Sequence, residues 1–353
     1  MNTQQVKAYG TEAIDAPLQQ LNILRRDVTV NDVEIDILYC GVCHSDLHTA
    51  RNDWGGTVYP AVPGHEIIGR VTNVGSNVTK FKVGDIAAVG CLVDSCKQCA
   101  SCKQDLEQYC LTGFTGTYNG KDKHLGIQTF GGYSEKVVVD EHFVLKVPHH
   151  LDLPAVAPLL CAGITTWSPL KHWNVGSHSN VAVVGLGGLG HMAIKLAKGL
   201  GAHVTLFTRT ADKEKDALAL GADKVIVSTN PQQMSSVKGQ FDLIIDTVPY
   251  VHDVNPYVAT LNISGTLVLV GYLGNLTPML NTVPMILGRK SIAGSVIGGI
   301  VETQELLDFC GKHNIVSDIE IIQMQEINEA YERMLKSDVR YRFVIDMSSL
   351  KAK

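Results

Sequence analysis

The stretch Val181-Ala182-Val183-Val184-Gly185-Leu186-Gly187-Gly188-Leu189-Gly190 decides the fold. Its first four residues are small and β-branched and read as a short strand; from Gly190 to Leu200 the pattern is helical. G-x-G-x-x-G lies between them, in the strand–turn–helix context that gives the motif meaning. The first glycine permits a tight turn, the second lets backbone approach a pyrophosphate, and the third lets helix pack on strand. The phosphates would then meet the positive helix N-terminus. A glycine-rich turn that binds nothing is the competing reading, and the context favours a dinucleotide.

Downstream the same texture continues. A strand over 204–207 and a helix over 212–220, stopped at Gly221, follow. Apolar runs at 225–227, 243–245 and 267–270 are continuous rather than alternating, as in a parallel sheet covered on both faces. An NAD site would place an acid at the end of the strand 204–207, on the ribose 2′-OH. The residues there are Thr208-Arg209-Thr210-Ala211-Asp212-Lys213. Two hydroxyls, Arg209 and Lys213 suit a 2′-phosphate, so NADP(H) is expected over NAD. Asp212 reads as the first-turn acid of the next helix. A plain exposed loop is the alternative for all of them.

Upstream the chain changes character. Residues 1–90 are short strands and Gly turns, for example 67–74 and 83–89, which suggests a β barrel or partly open sheet. The run 33–39 alternates as a strand and leads into Gly41-Val42-Cys43-His44-Ser45-Asp46-Leu47-His48, expected on the loop leaving it. Residues 111–135 read as loop, 135–139 as a strand, and a helix begins near Pro154. The tail carries helices near 302–310 and 328–335 and a last strand over 341–345.

Cys96-x-x-Cys99-x-x-Cys102-x7-Cys110 is the most specific local signal. Four thiolates at this spacing wrap one tetrahedral Zn²⁺ with no open position. An iron–sulfur cluster competes, but no Pro follows Cys110, no second cysteine set exists, and the last spacing is wide. His65 and Glu66 follow Pro63-Gly64, and Cys161 follows Leu159-Leu160; spacing alone cannot say whether Cys43, His65 and Cys161 meet. Cys40, Cys91 and Cys310 read as packed thiols. Trp54, Phe114, Tyr118 and Trp167 hint at an apolar or aromatic substrate.

At 353 residues the chain exceeds one core and suggests two domains. With 45% hydrophobic and 18% charged residues, disorder is disfavoured. A net charge of −5 without a basic block argues against nucleic acid and anionic membrane as partners. Nine cysteines without a secretory signal point to a reducing cytoplasm.

The whole pattern resembles the zinc-dependent medium-chain alcohol dehydrogenases, most closely the cinnamyl alcohol dehydrogenase-type branch. The likeness runs in order through residues 41–46, Pro63-Gly64-His65-Glu66, the four-cysteine lobe, Leu160-Cys161-Ala162-Gly163-Ile164-Thr165, the glycine motif, Ile245-Asp246-Thr247-Val248 and Val339-Arg340-Tyr341-Arg342-Phe343. It implies an α/β chain in two parts: a Gly-rich, GroES-like β catalytic domain over 1–153 and 296–353, and a doubly wound Rossmann domain over 154–295. The active site would lie in the cleft between them.

The resemblance also implies two zinc ions per chain. Cys43, His65 and Cys161 would hold the catalytic one, the Cys₂His set known for alcohol dehydrogenase. Glu66 matches a transient ligand, and Asp46 would orient His65. Ser45 and His48 match a proton relay. Thr165 would border the nicotinamide and Arg342 the cofactor phosphates, with Thr247, Val270 and Ser295 as further cofactor-binding candidates. The implied reaction is hydride transfer between nicotinamide C4 and a zinc-bound primary alcohol or aldehyde, aromatic or broad in range, in a homodimer. An NAD-linked zinc polyol or alcohol dehydrogenase and a non-catalytic dinucleotide-binding relative are the alternatives. The first needs an acid where Thr208 stands; the second would be expected to lose Cys43, His65 or Cys161.

Overall fold

The computed structural model of the chain describes residues 2–272 and 274–351. They form two compact units: residues up to Cys161 together with those from Gly298 onward, and Ala162–Ile297.

The first unit is built on the strand Asp32–Gly41, which pairs antiparallel with three others: Ile67–Val74, Lys136–Asp140 and Arg342–Asp346. Its β-branched residues Val33, Ile35 and Ile37 alternate along one face and are all buried, with Val33 and Ile35 fully enclosed. The seven-stranded sheet continues through Ile86–Val89 to Leu145–Lys146 on one side and to Ile319–Gln323 on the other. A hairpin of Thr3–Gly10 and Gln19–Arg26 stands beside it as a separate two-stranded sheet. In register, Cys40 faces Ile67 and Gly41 faces Val344, so the ends of three strands converge where the strand delivers its last residues.

The second unit is a six-stranded, all-parallel sheet. Its order is Lys224–Val227, His203–Thr208, Asn180–Val184, Phe241–Asp246, Leu261–Leu269, Ser291–Gly294. The order reverses at Asn180–Val184, the first strand of the unit and the one that feeds the glycine motif. That reversal is the crevice at which such sheets bind ligands. Phe207, Ile226, Phe241, Ile244, Val258 and Leu267 fill one face of the core.

Three local differences separate structure from expectation. Residues after Gly41 are not a loop: a helix runs His44–Ala50, with extended Cys43 as its N-cap. Asp46, in the first turn, accepts a hydrogen bond from the Cys43 N–H at 2.8 Å, and that cap starts the helix. The helix expected over 212–220 opens with a 3₁₀ turn, Ala211–Lys213, and is α-helical only over Glu214–Ala219. The helices Pro231–Ser236, Asn255–Thr260 and Val283–Gly288 were not anticipated. At six residues each they are too short to show a helical period. Among the described residues no single helix is long and apolar enough to cross a membrane.

The entry to the strand Asp32–Gly41 is fixed by a buried ion pair. Arg26 Nη1 and Nη2 both donate to the Asp32 carboxylate, the second at 2.9 Å, and the Thr29 N–H donates at 2.7 Å. Burial opposes the charge, yet these bonds hold the Asp32 carboxyl below its ordinary range. A depressed carboxyl contributes stability above its unfolded pKa and loses it as pH falls through the folded value. Asp32→Asn should therefore lower the thermal midpoint by roughly 5–10 °C near neutral pH. Differential scanning fluorimetry should show the gap between variant and parent shrinking as pH drops through the carboxylate range. A gap that stays constant would refute the pairing's electrostatic role.

Candidate active site

The central cluster grows from Asp46, which is fully buried. Its Oδ2 accepts from the Cys43 N–H and from the Tyr133 hydroxyl at 3.1 Å. Its Oδ1 accepts from the Gly64 N–H at 3.0 Å and lies 3.2 Å from His65 Nδ1. One carboxylate thus ties the Cys43 turn to the His65 turn. Gly64 has φ +103°, and a Cβ there would meet the Tyr133 ring and the Cys40 sulfur within 3 Å. Gly41 is equally constrained, because a Cβ would collide with the Glu66 carboxylate. Cys161 closes the 3₁₀ turn Ala157–Leu160 and delivers a second sulfur.

The ligand atoms of Cys43, His65, Glu66 and Cys161 all lie within 4.8 Å of one another, and all four residues are buried. The two sulfurs are 3.8 Å apart. Sulfurs bound tetrahedrally at zinc–sulfur distances sit about 3.8 Å from each other, so the pair is spaced for one Zn²⁺. His65 turns Nδ1 toward Asp46 and the Tyr118 hydroxyl, 3.2 Å away, which leaves Nε2 for the cluster. Hydrogen bonding from Cys161 draws the Cys43 thiol well below its ordinary pKa despite burial, and Cys161 rises correspondingly. Burial pushes the Glu66 carboxyl up to about 8, only partly offset by the Arg342 guanidinium. A divalent cation would discharge these shared protons.

Arg342 has a second partner beside the role the resemblance implies for it. It is buried, and its Nη2 donates to Glu66 Oε1, a partner that no spacing in the sequence announces. Cys91 was also missed: its thiol donates to the Leu160 carbonyl at 3.6 Å and lies close enough to Cys161 and His65 to feel both. The bond from Cys161 is the main force lowering it to about 6. Ser45 Oγ lies 3.7 Å from the Cys43 sulfur. His48 directs Nδ1 to Asp53 at 2.7 Å, with the Trp54 ring 5.1 Å from its own. His44 is exposed. Of the aromatic candidates, Tyr118 reaches the cluster, Phe114 is exposed and Trp167 is buried.

The four-cysteine lobe is a second, separate set. Sulfurs of Cys96 and Cys102 are 3.8 Å apart, and those of Cys99 and Cys102 are 3.5 Å apart. Backbone N–H groups of Cys99, Leu111 and Cys96 donate to the sulfurs of Cys96, Cys99 and Cys110 at 3.3–3.5 Å. Donors aimed at sulfur stabilise thiolates, and four of them leave a metal no open position.

In the second unit Gly185 has φ +90°, and a Cβ on Gly190 would strike the Gly185 carbonyl. Gly187 faces open space, with room for a ligand to approach the backbone. The remainder of the loop is Leu186, buried, with Gly188 and Leu189 part-exposed. Lys213 Nζ reaches back to the Leu186 carbonyl at 3.2 Å. Thr208 is buried at its strand end, while Arg209 and Thr210 are exposed. The Thr247 hydroxyl donates to the Val184 carbonyl at 2.7 Å, holding its segment against the glycine loop. Val270 and Ser295 use their backbone N–H groups on neighbouring strand ends, and Thr165 is buried in the helix Ala162–His172.

The alcohol dehydrogenase GroES-like domain model matches residues 29–149, and the zinc-binding dehydrogenase model matches residues 188–312. The aldehyde reductase YahK of Escherichia coli is 52% identical over 346 residues, covering 98% of this chain and 99% of the relative. The chain belongs to the zinc-dependent medium-chain alcohol dehydrogenases, of the cinnamyl alcohol dehydrogenase type. Solved structures agree with this family. A cinnamyl alcohol dehydrogenase of Sorghum bicolor superposes with TM-score 0.94 at 43% identity, covering 98% of each chain. The Helicobacter pylori cinnamyl alcohol dehydrogenase complexed with NADP(H) superposes at 0.91 and 42% identity, covering 98% of this chain and 99% of its own.

For this zinc-dependent dehydrogenase the two donor sets predict about two zinc ions per chain. Elemental analysis of Cys102→Ser should return about one, the other remaining with the buried cluster. Two per chain in that variant would show that Cys102 is not a ligand the lobe needs, and one per chain in the parent would show that only one of the two sets holds metal.

Proposed function

We propose that this chain is an NADP(H)-linked aldehyde reductase whose catalytic zinc is held by Cys43, His65 and Cys161. The observation that carries this is the buried thiolate–imidazole–thiolate set, with its sulfurs 3.8 Å apart and His65 oriented by Asp46. Soft sulfur and imidazole donors select zinc over hard cations. A zinc ion there supplies a Lewis acid, which polarises an aldehyde carbonyl and makes an alcohol more acidic.

The chain's own residues do the rest. Asp46 fixes the His65 ring and keeps Nε2 toward the cluster. Arg342 holds Glu66 at the edge of the set, where its carboxylate is ready to exchange in as a ligand. Ser45, beside the Cys43 sulfur, gives or takes the substrate proton, and His48, backed by Asp53, passes it to solvent. The loop at Gly187 takes the pyrophosphate, and Arg209, Thr210 and Lys213 take the 2′-phosphate at the end of His203–Thr208. Trp54 and Tyr118, the aromatic rings beside His48 and His65, suit an aromatic or broad range of primary aldehydes. The likeness to an aldehyde reductase and to cinnamyl alcohol dehydrogenases favours that class.

A cofactor-by-aldehyde panel tests this reading. Cys43→Ala should lose turnover of benzaldehyde and cinnamaldehyde with NADPH while still binding NADPH; retained turnover rules out the catalytic-zinc assignment. Arg209→Ala should weaken NADPH roughly tenfold, a loss of one charge-assisted contact, and leave NADH nearly unchanged. Equal effects on both would remove the 2′-phosphate argument.

The chain is further read as a homodimer of the reducing cytoplasm. Among the described residues the cysteines of the two donor sets are held as thiols rather than as disulfides. The edge strand Ser291–Gly294 leaves the parallel sheet open on one side. Met279, Ile286 and Leu287 are between 76% and 90% exposed in the same unit, an apolar surface that a second copy would cover. Light scattering should give about twice the 38.2 kDa chain mass. A monomer at micromolar concentration refutes the dimer.

A further inference from the structure

Asp246 ends the strand Phe241–Asp246 and is fully buried. In register it faces Val184, the residue before the glycine loop. The chain leaving it lies against that loop. Thr247 N–H and hydroxyl both donate to the Val184 carbonyl, at 3.1 and 2.7 Å. A Cβ on Gly185 would lie 3.1 Å from Val248 and 3.2 Å from the Thr247 hydroxyl. Asp246 therefore anchors the wall of the dinucleotide loop from inside.

A buried carboxylate needs a counter-charge. Its Oδ1 accepts the Val248 N–H at 3.1 Å, but Oδ2 has no hydrogen-bond partner. What faces Oδ2 is His252 Nε2, at 2.9 Å. That nitrogen too has no hydrogen-bond partner, so the contact is a charge pair rather than an aligned hydrogen bond. His252 Nδ1 donates to the Tyr250 carbonyl at 2.9 Å, which fixes the ring over the carboxylate. The pair closes the segment 246–252 into a short clasp whose outer surface is the wall of the loop.

We infer that the His252–Asp246 pair is a positioning device for the dinucleotide: the imidazolium neutralises a buried carboxylate that would otherwise repel the pyrophosphate and release the loop's wall. This rests on the dinucleotide reading of Gly185–Gly190 given above. The donor set suits that role, because a carboxylate directly beneath a phosphate-binding turn is tolerable only when paired. The groups facing His252 are Asp246, Asp253, the Tyr250 carbonyl and the Tyr257 ring, 6.0 Å away. Asp253 is engaged with Asn255, at 2.9 Å to its N–H. The Asp246 carboxylate is the largest influence on the imidazole and holds its proton above the ordinary range. As pH rises through that titration the positive charge leaves and the carboxylate stays.

Dinucleotide affinity should therefore fall with rising pH. It is read by the fluorescence of NADPH and NADH titrated into the zinc-loaded enzyme across pH 6 to 9. His252→Gln should bind both cofactors roughly tenfold more weakly at the acid end and lose the pH slope. Asp246→Asn/His252→Gln, which removes charge from both partners, should recover most of that loss. A purely structural role would give loss in both variants without changing the slope. A His252→Gln enzyme with unchanged affinity and slope overturns the inference. If that variant does not fold, Asp246→Asn serves: a slope identical to the parent's overturns it. NADH separates this from the 2′-phosphate reading, since Arg209→Ala should spare NADH and His252→Gln should not. A parent enzyme that binds neither dinucleotide sinks both.

Discussion

A fully buried carboxylate organises the metal-binding unit. Asp46 accepts hydrogen bonds from Cys43 N–H, Gly64 N–H and the Tyr133 hydroxyl, and stands beside His65 Nδ1. An ionised group in that setting costs several kcal/mol unless every lone pair is used. Its partners come from three segments far apart in sequence, so satisfying it specifies where those segments meet. Replacing it would leave a turn, a helix cap and an imidazole unpositioned together. The helix His44–Ala50 exists at this place because the same carboxylate caps it.

The two sulfur sites solve one problem in opposite ways. In the lobe, backbone N–H groups point at the thiolates from a single local segment, so charge is stabilised by the chain itself and the set is closed. In the central cluster the donors arrive from a strand end, a turn and a 3₁₀ turn. Their charge is balanced by Arg342 through Glu66 rather than by backbone. A site balanced by a movable side chain can change its ligand set; a site balanced by backbone cannot. Lewis-acid catalysis needs the former and a structural clip the latter.

Legibility in the sequence follows the same division. The lobe was readable because its four ligands lie within fifteen residues, and the glycine motif because strand, turn and helix are consecutive. The parallel sheet was readable from continuous apolar runs. Arg342 on Glu66, Cys91 on Cys161 and Tyr118 on His65 were not, since each joins positions tens to hundreds of residues apart with no repeating pattern. The convergence of Cys43, His65 and Cys161 entered only through family resemblance; the register of Asp32–Gly41 with Ile67–Val74 is what physically produces the Cys43–His65 half of it. The helix at His44 was missed because its cap, a cysteine backbone satisfied by an acid three residues on, is rarer than a Ser or Thr cap.

The dinucleotide unit shows the same reliance on buried charge, at a strand end instead of a turn. Continuous apolar strands leave few polar groups inside, so an aspartate at the end of the central pair of strands is conspicuous. Asp246 lies level with Val184, at the point where the strand order reverses and a ligand's phosphates would be closest. A neutral residue would pack there at lower cost. The carboxylate instead brings His252 with it, converting the wall of the loop from a passive surface into one whose charge depends on a single proton. Asp46 lies beside the imidazole of the candidate metal cluster, and Asp246 beside a titratable one. In each unit a buried aspartate is therefore matched to a histidine, by position beside His65 in one and by charge beside His252 in the other.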